Sequence, residues 1–293
     1  MAERSAAFGG ESVTKPHPPF RRRRLGRRLR LMREQAKFTL DEAAARLDKT
    51  RSALQRIEAG ETRADVHLVR SMMDLYDQYD PDLLDQARYA LKPGWWVAYG
   101  MKDQGYVALE SEAHLAREVT LLNLPGLLQI ESYMRELFNS HWLQRSPQEI
   151  QTEITIRLLR QRRLTDEDNP LSLECVINEA ALRRAVGGPT VMREQLRHLI
   201  EVASLPTVTL QVLPDSAEAH AIINGTFLLL AFPEPDDQEM LYIEYPTAAL
   251  HIEDDDQIQE AKVAYEHLRH QALDLKDSVS FIRQVLTDWD GAE

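Results

Sequence analysis

The sequence contains a single cysteine, Cys175, among 293 residues. One thiol can close no internal disulfide and cannot by itself build a cysteine-based metal site, so a reducing, cytoplasmic setting is expected. Long apolar runs are also missing: nothing approaches the roughly 20 consecutive apolar residues of a membrane-spanning helix. The first residues are arginine-rich but lack the apolar core of a secretory signal, so export is not expected. Catalytic signatures are equally scarce, with no Gly-x-Ser-x-Gly elbow, P-loop, dinucleotide fingerprint or His-Glu-x-x-His. His267 and His270 share a helical face without an evident third ligand, which argues against zinc. Glu253-Asp254-Asp255-Asp256 stands before a helix, whose dipole alone favours acidic residues there. The expectation is a protein that is not an enzyme and uses neither cofactor nor metal.

What is present is a soluble globular composition, 43% hydrophobic and 28% charged, on a length suited to two domains. The charge is unevenly placed. Residues 1–64 hold 16 basic and 8 acidic side chains, while the remainder holds 19 and 39. A basic head concentrates polyanions and an acidic body repels them, so any nucleic acid should bind the head alone.

Residues 1–20 carry Pro16, Pro18, Pro19 and Gly9-Gly10 and read as a disordered leader. A helical pattern starts at Arg21, with Leu25, Leu29 and Met32 at i, i+4 and i+7, and short helices run to about Leu91. Lys92-Pro93-Gly94 then breaks the chain, giving a first domain at 21–92 and a second at 95–288. In the second, the pattern predicts helices at 107–122, 131–139, 147–164, 179–186, 190–204, 256–273 and 278–288. Strands are expected at 171–177, 208–213, 226–232, 241–245 and 249–252. Strands joined by short connections imply an α+β domain with a mostly antiparallel sheet.

The most specific signal lies at 38–60. Thr39 followed by Glu42 is a capping box that starts a helix at Leu40, with Leu40, Ala43, Ala44 and Leu47 on one face. Asp48-Lys49 makes a turn, Thr50 caps the next helix, and Gly60 ends it. On that second helix Ala53, Leu54 and Ile57 form the buried side. Arg51, Ser52, Gln55, Arg56 and Ala59 share the opposite arc, an exposed face of hydrogen-bonding groups suited to the major groove. Arg51, Ser52 and Gln55 are the candidate base readers, because arginine pairs with guanine O6/N7 and glutamine with adenine N6/N7. Thr39, Arg56 and Arg63 are candidates for phosphate, where contacts set register without reading sequence. Arg21, Arg22, Arg23 and Arg24, with Arg27, Arg28 and Arg30, form either a phosphate grip or a solvated basic face; phosphate binding is favoured by their position.

Residues 24–78, including Arg-Ile-Glu-Ala-Gly at 56–60, resemble the helix-turn-helix domain of Cro/lambda-repressor-type regulators, the xenobiotic-response-element family. Asp48 departs from the glycine common in the turn, and Leu40 from a polar residue that often touches phosphate. The second domain resembles that of WhiJ-type regulators of actinomycetes through several ordered blocks. These are Leu-Pro-Gly-Leu-Leu-Gln at 124–129 with Glu131 and Tyr133, Arg160-Gln161, Asn178 to Gly188, Gln-Val-Leu-Pro at 211–214, Trp95-Trp96 and Gly225-Thr-Phe. That resemblance implies a transcription regulator that often works with a small protein encoded nearby, in a toxin–antitoxin-like arrangement. It supplies no ligand and no catalytic residue.

The fold class expected is therefore mainly α with an α+β second domain, the first a five-helix helix-turn-helix unit. Trp95 and Trp96 either line a ligand or partner pocket or pack the domain junction, the junction being favoured because aromatics supply large buried area. His220 either lines a sensory cleft or is simply exposed. The Pro-Gly and Gly-Gly-Pro blocks either shape a pocket or end helices, and Cys175 reads as a small core residue. The functional expectation is a cytoplasmic, nucleoid-associated regulator that binds double-stranded DNA as a homodimer without any membrane. The alternative is an antitoxin-like protein that sequesters a small partner and regulates its own operon.

Overall fold

The computed structural model describes residues 18–100, 105–140, 145–217, 225–234, 237–245 and 248–291. The chain forms two compact units, and the change from one to the other falls at Gly94–Trp95. Most of the expected leader, residues 1–17, lies outside the described residues. Its last position does not belong to it: Phe20 is buried and opens the first helix.

The first unit is built of five helices: α1 (Phe20–Gln35), α2 (Leu40–Arg46), α3 (Arg51–Glu58), α4 (Val66–Tyr76) and α5 (Pro81–Leu91). Local chemistry starts four of them. Thr39 forms the full capping box with Glu42, Thr50 accepts from the Ala53 N–H, Asp65 from Leu68, and Asp80 from Asp82 ahead of Pro81. Leu25, Leu29, Ala43, Leu54, Ile57, Val69, Met72, Met73 and Leu83 fill one core. The helix α1 crosses the end of α3 at Gly26, where a Cβ would stand 2.4 Å from the Glu58 carbonyl oxygen. Only a residue without a side chain permits that approach.

The second unit is a six-stranded mixed sheet with helices on it. Its elements are α6 (Tyr106–Glu110), β1 (Leu115–Thr120), α7 (Glu131–Asn139), α8 (Pro147–Gln161), β2 (Ser172–Asn178), α9 (Glu179–Arg183) and α10 (Gly188–Val202). There follow β3 (Val208–Leu213), β4 (Phe227–Ala231), β5 (Met240–Tyr245), β6 (Ala248–Ile252), α11 (Asp255–Gln271) and α12 (Leu275–Asp290). The strand order is β3-β2-β1-β4-β5-β6. Antiparallel pairing holds the β1-β4-β5-β6 side, whereas β1-β2 and β2-β3 are parallel, a half that strand patterning alone did not distinguish. Parallel neighbours need long crossovers, and here α7 with α8, then α9 with α10, supply them.

One expected element is corrected. The helix predicted over 107–122 ends at Glu110, and 115–120 is instead the third of six strands. Two charged residues inside the strand disguise it. Arg117 reaches across to its register neighbour Glu174 at 2.9 Å, and Glu118 points to the other face.

On one face of the sheet Val119, Val176, Leu229 and Leu241 pack under Ile258, Tyr265 and Leu268 of α11. The register places a row on the opposite face: Leu210, Cys175, Glu118, Leu228, Tyr242 and His251, one from each strand from β3 to β6. The β3 edge is covered by the α11–α12 connection, where Leu273 N–H donates to the Val212 carbonyl and the Ser278 hydroxyl accepts from Val212 N–H. Cys175 is buried beside β1, which suits a small core residue.

Candidate nucleic-acid interface

The sequence builds α2, the turn and α3 with little freedom. The Lys49 N–H bonds back to Ala44 O at 2.9 Å, with Asp48 in the left-handed region at φ 52°. The end of α3 repeats the arrangement, with Glu61 N–H on Arg56 O at 2.9 Å and Gly60 at φ 73°. Both helices thus stop in the same motif, which satisfies their last carbonyls. Asp48 adopts a backbone conformation that glycine would take without cost, and aspartate is among the few other residues that tolerate it.

This frame fixes which way α3 faces. Leu54 and Ile57 are buried and Ala53 is half-buried, whereas Arg51, Ser52, Gln55, Arg56 and Ala59 are exposed. All three candidate base readers therefore share the open side of one helix. Arg51 Nε stands 3.7 Å from Asp41 Oδ2, both side chains being largely exposed, a loose pair that a stronger anion can displace. The Ser52 hydroxyl lies 3.3 Å from that of Thr50.

A buried ion pair that sequence reasoning missed braces α3. Arg33 Nε and Nη2 donate to the two carboxylate oxygens of Glu58 at 2.7 and 2.8 Å, and Arg33 Nη1 to the Phe38 carbonyl at 3.0 Å. The bond to Glu58 raises the Arg33 pKa, and burial pushes the adjacent Tyr76 hydroxyl up to about 12. The signal was available: Glu58 follows Leu54 by four residues, so it stands on the buried face of an otherwise solvent-facing helix. A carboxylate there requires a cation inside the protein.

The phosphate candidates divide. Arg56 and Arg63 are exposed and make no ion pair among the described residues. Thr39 is exposed, but its N–H and hydroxyl both donate to Glu42 Oε2, at 2.9 and 2.7 Å, so a phosphate there would compete with the cap. Arg21, Arg22, Arg23 and Arg24 are half-buried on the first turns of α1. Their backbone abuts Gly60, where a Cβ would meet Arg23 N at 2.6 Å, so they stand beside the C-terminal end of α3. Arg21 stacks on Tyr89 at 3.7 Å and donates to its hydroxyl at 2.6 Å. Arg28 binds Asp80 at 2.5 Å and Arg30 binds Glu34 at 2.7 Å, so part of the basic face is engaged in the fold.

The expected pocket residues of the second unit do not come together as a described site. Trp96 is buried with Val107, Ala108 and Ile156 in that unit's own core, which leaves its indole no open face for a ligand. Trp95 is partly exposed, sits edge-on to Trp96 and Tyr99, and donates to the Ser111 hydroxyl at 3.2 Å. His220 lies outside the described residues. The Pro125-Gly126 block opens a short 3-10 turn, Gly126–Leu128, in which Gln161 donates to the Gly126 carbonyl and Gln195 to that of Leu128, while Gln129 donates to Leu124 just before it. Among the described residues no three histidine, cysteine, aspartate or glutamate side chains gather to hold a metal, and no helix is long and apolar enough to cross a membrane.

Comparison with known families matches two stretches of the chain. A model described as a helix-turn-helix domain matches residues 24–87, the span of α1 through most of α5. A model described as a domain of unknown function, DUF5753, matches residues 104–284, more than half of the chain and most of the second unit. No curated protein and no solved structure matches.

Proposed function

We propose that this chain, which belongs to the DUF5753 family and carries a helix-turn-helix domain ahead of that domain, is a sequence-specific DNA-binding transcription regulator. The observation that carries this reading is the outward face of α3: Arg51, Ser52 and Gln55 are exposed together, on a helix held rigid by the Arg33–Glu58 pair. The helix is 8 residues long, and an α-helix with its side chains, about 10–12 Å across, fits a major groove about 12 Å wide. Arg51 pairs with guanine and Gln55 with adenine, Ser52 serves either, and Arg56, Arg63 and Arg21, Arg22, Arg23 and Arg24 of α1 hold phosphates. Two copies bind half-sites one helical turn apart, about 10 base pairs.

In this reading the acidic second unit is not an enzyme. It dimerises and receives the signal that biases DNA binding, and the protein works in the cytoplasm on the nucleoid. A small partner protein encoded nearby is a second reading of the same unit. It is favoured by the exposed Tyr245 and Leu250 of the β5–β6 hairpin, apolar surface available for association.

Selection of binding sites from random duplexes by the purified full chain tests the proposal. Wild type should enrich a two-fold symmetric site. Arg51→Ala should relax preference at one base pair per half-site, at a cost of about 1–3 kcal/mol there. An unchanged ranking of sites would remove Arg51 from the reading set. No enrichment at low ionic strength would end the proposal.

A further inference from the structure

The two edges of the sheet are finished differently. The β3 edge bonds to the α11–α12 connection at Val212, whereas β6 is the last strand in the sheet among the described residues. There Ala248, Ala249 and Leu250 make no hydrogen bond outside the β5 ladder. An antiparallel edge strand turns alternate peptide groups outward, so β6 presents a row of backbone donors and acceptors. Such edges are normally guarded by charge, proline or a bulge. The strand Ala-Ala-Leu-His-Ile has no lysine, acid or proline, and its register with β5 runs unbroken from Ala248 to Ile252.

The side chains are as open as the backbone. Ala248, Leu250 and Ile252 share the face that α11 covers, where Ile252 and Ile243 pack, partly buried, against the core under α11. Leu250 stands opposite Ile243 in register and yet is 45% exposed, and Tyr245, opposite Ala248, is 52% exposed. The apolar layer of the sheet therefore runs on to an edge that nothing described covers. Charge begins immediately beyond the strand, with Glu253-Asp254-Asp255-Asp256.

We infer that the β6 edge is the dimer surface of this chain, occupied by the β6 of a second copy running antiparallel about a two-fold axis at Leu250. The strand is complementary to itself in that register. Leu250 lies beside its own copy, with Cβ atoms about 4.5–5.5 Å apart, and the small Ala248 and Ala249 face the larger Ile252 and His251 of the other strand. The two sheets become one, and the apolar layer closes across the axis. Charge selects the direction. Parallel pairing would set the two acidic runs side by side. Antiparallel pairing sends them to opposite ends, the two Glu253 about 20 Å apart at about 3.4 Å per residue, well beyond the screening length of about 8 Å at physiological ionic strength. A small partner protein would need no such symmetry, and the self-complementary order of β6 favours a second copy. The inference rests on the reading above for the task of the dimer, not for its existence.

The test uses the full chain without DNA. Sedimentation over a concentration series should find a dimer, and Leu250→Lys should weaken it at least tenfold while leaving the circular-dichroism spectrum unchanged. Leu250→Cys should give a disulfide-linked dimer under mild oxidation. Wild type, whose Cys175 is buried, and Val263→Cys, on the exposed side of α11, should give none. A chain that is monomeric at every concentration overturns the inference, as does a dimer whose affinity survives Leu250→Lys or that forms no link in Leu250→Cys. A monomeric chain from which Leu250→Lys releases a small co-purifying protein also overturns it and assigns the edge to that partner. Selection from random duplexes separates this inference from the DNA reading. A β6 dimer that enriches no duplex ends that reading and leaves the interface standing, and a monomer that enriches one does the reverse.

Discussion

The two units use arginine in opposite ways. On α3 and in the loop after it, Arg51, Arg56 and Arg63 are exposed and, among the described residues, weakly held or without an ion pair, so their charge is available to a polyanion. In the second unit Arg160 is inside, fixed by two bonds to a carboxylate that is itself buried. Burial opposes ionisation of both members. The guanidinium nevertheless holds Glu110 below the usual carboxylate range, and the carboxylate raises Arg160. An exposed arginine sheds condensed counterions from DNA and contributes almost nothing to folding. An interior arginine binds nothing outside but becomes indispensable to its neighbour. The Arg33–Glu58 pair brings the interior kind into the first unit, where it serves the exposed kind by fixing α3.

Several substitutions would break or sharpen this contrast. Arg160→Ala strands the Glu110 carboxylate and should cost about 3–5 kcal/mol in denaturant unfolding of the second unit. A loss below about 1 kcal/mol would place Arg160 with the surface arginines. Glu118 should act in the reverse sense. Its folded pKa is raised, so the folded state holds the proton more tightly, and stability should fall as pH rises from about 4.5 to about 7. Glu118→Gln should abolish that slope and gain about 2–3 kcal/mol at pH 8, read from paired unfolding curves. Gly26→Ala should cost about 1–3 kcal/mol, because α1 must move away from the Glu58 carbonyl, and it should weaken specific DNA binding with it. The smallest effect on folding belongs to Arg63→Ala, which should leave the melting temperature unchanged and reduce the salt dependence of DNA binding by about one unit of slope.

Much of this was legible in the residues. The Thr39–Glu42 box, the Thr50 cap and the Gly60 stop bound α2 and α3 because each is a local bond between near neighbours. The outward face of α3 followed from helical spacing alone. Strands β2 to β6 were visible as apolar or alternating runs. What escaped was long-range. The strand β1 carries Arg117 and Glu118, and its nature depends on Glu174, 57 residues away, to pair one of them. The Arg33–Glu58 pair spans 25 residues, and the Arg160–Glu110 pair spans 50. The parallel pairing of β1, β2 and β3 depends on crossovers whose direction no local pattern encodes. Trp95-Trp96 showed that aromatic area would be buried, but not that Trp96 would be spent within the second unit's core.

The position of β1 has a consequence for biosynthesis. Its neighbours are β2, which ends at Asn178, and β4, which ends at Ala231, so the middle of the sheet stays open on one side until more than a hundred further residues have left the ribosome. The helical unit before it has all its elements once α5 ends at Leu91 and can be complete long before then. A polypeptide cut short anywhere between those two strands would pair a finished DNA-binding head with a bare strand edge, a product ready to stack on its own kind rather than to regulate anything.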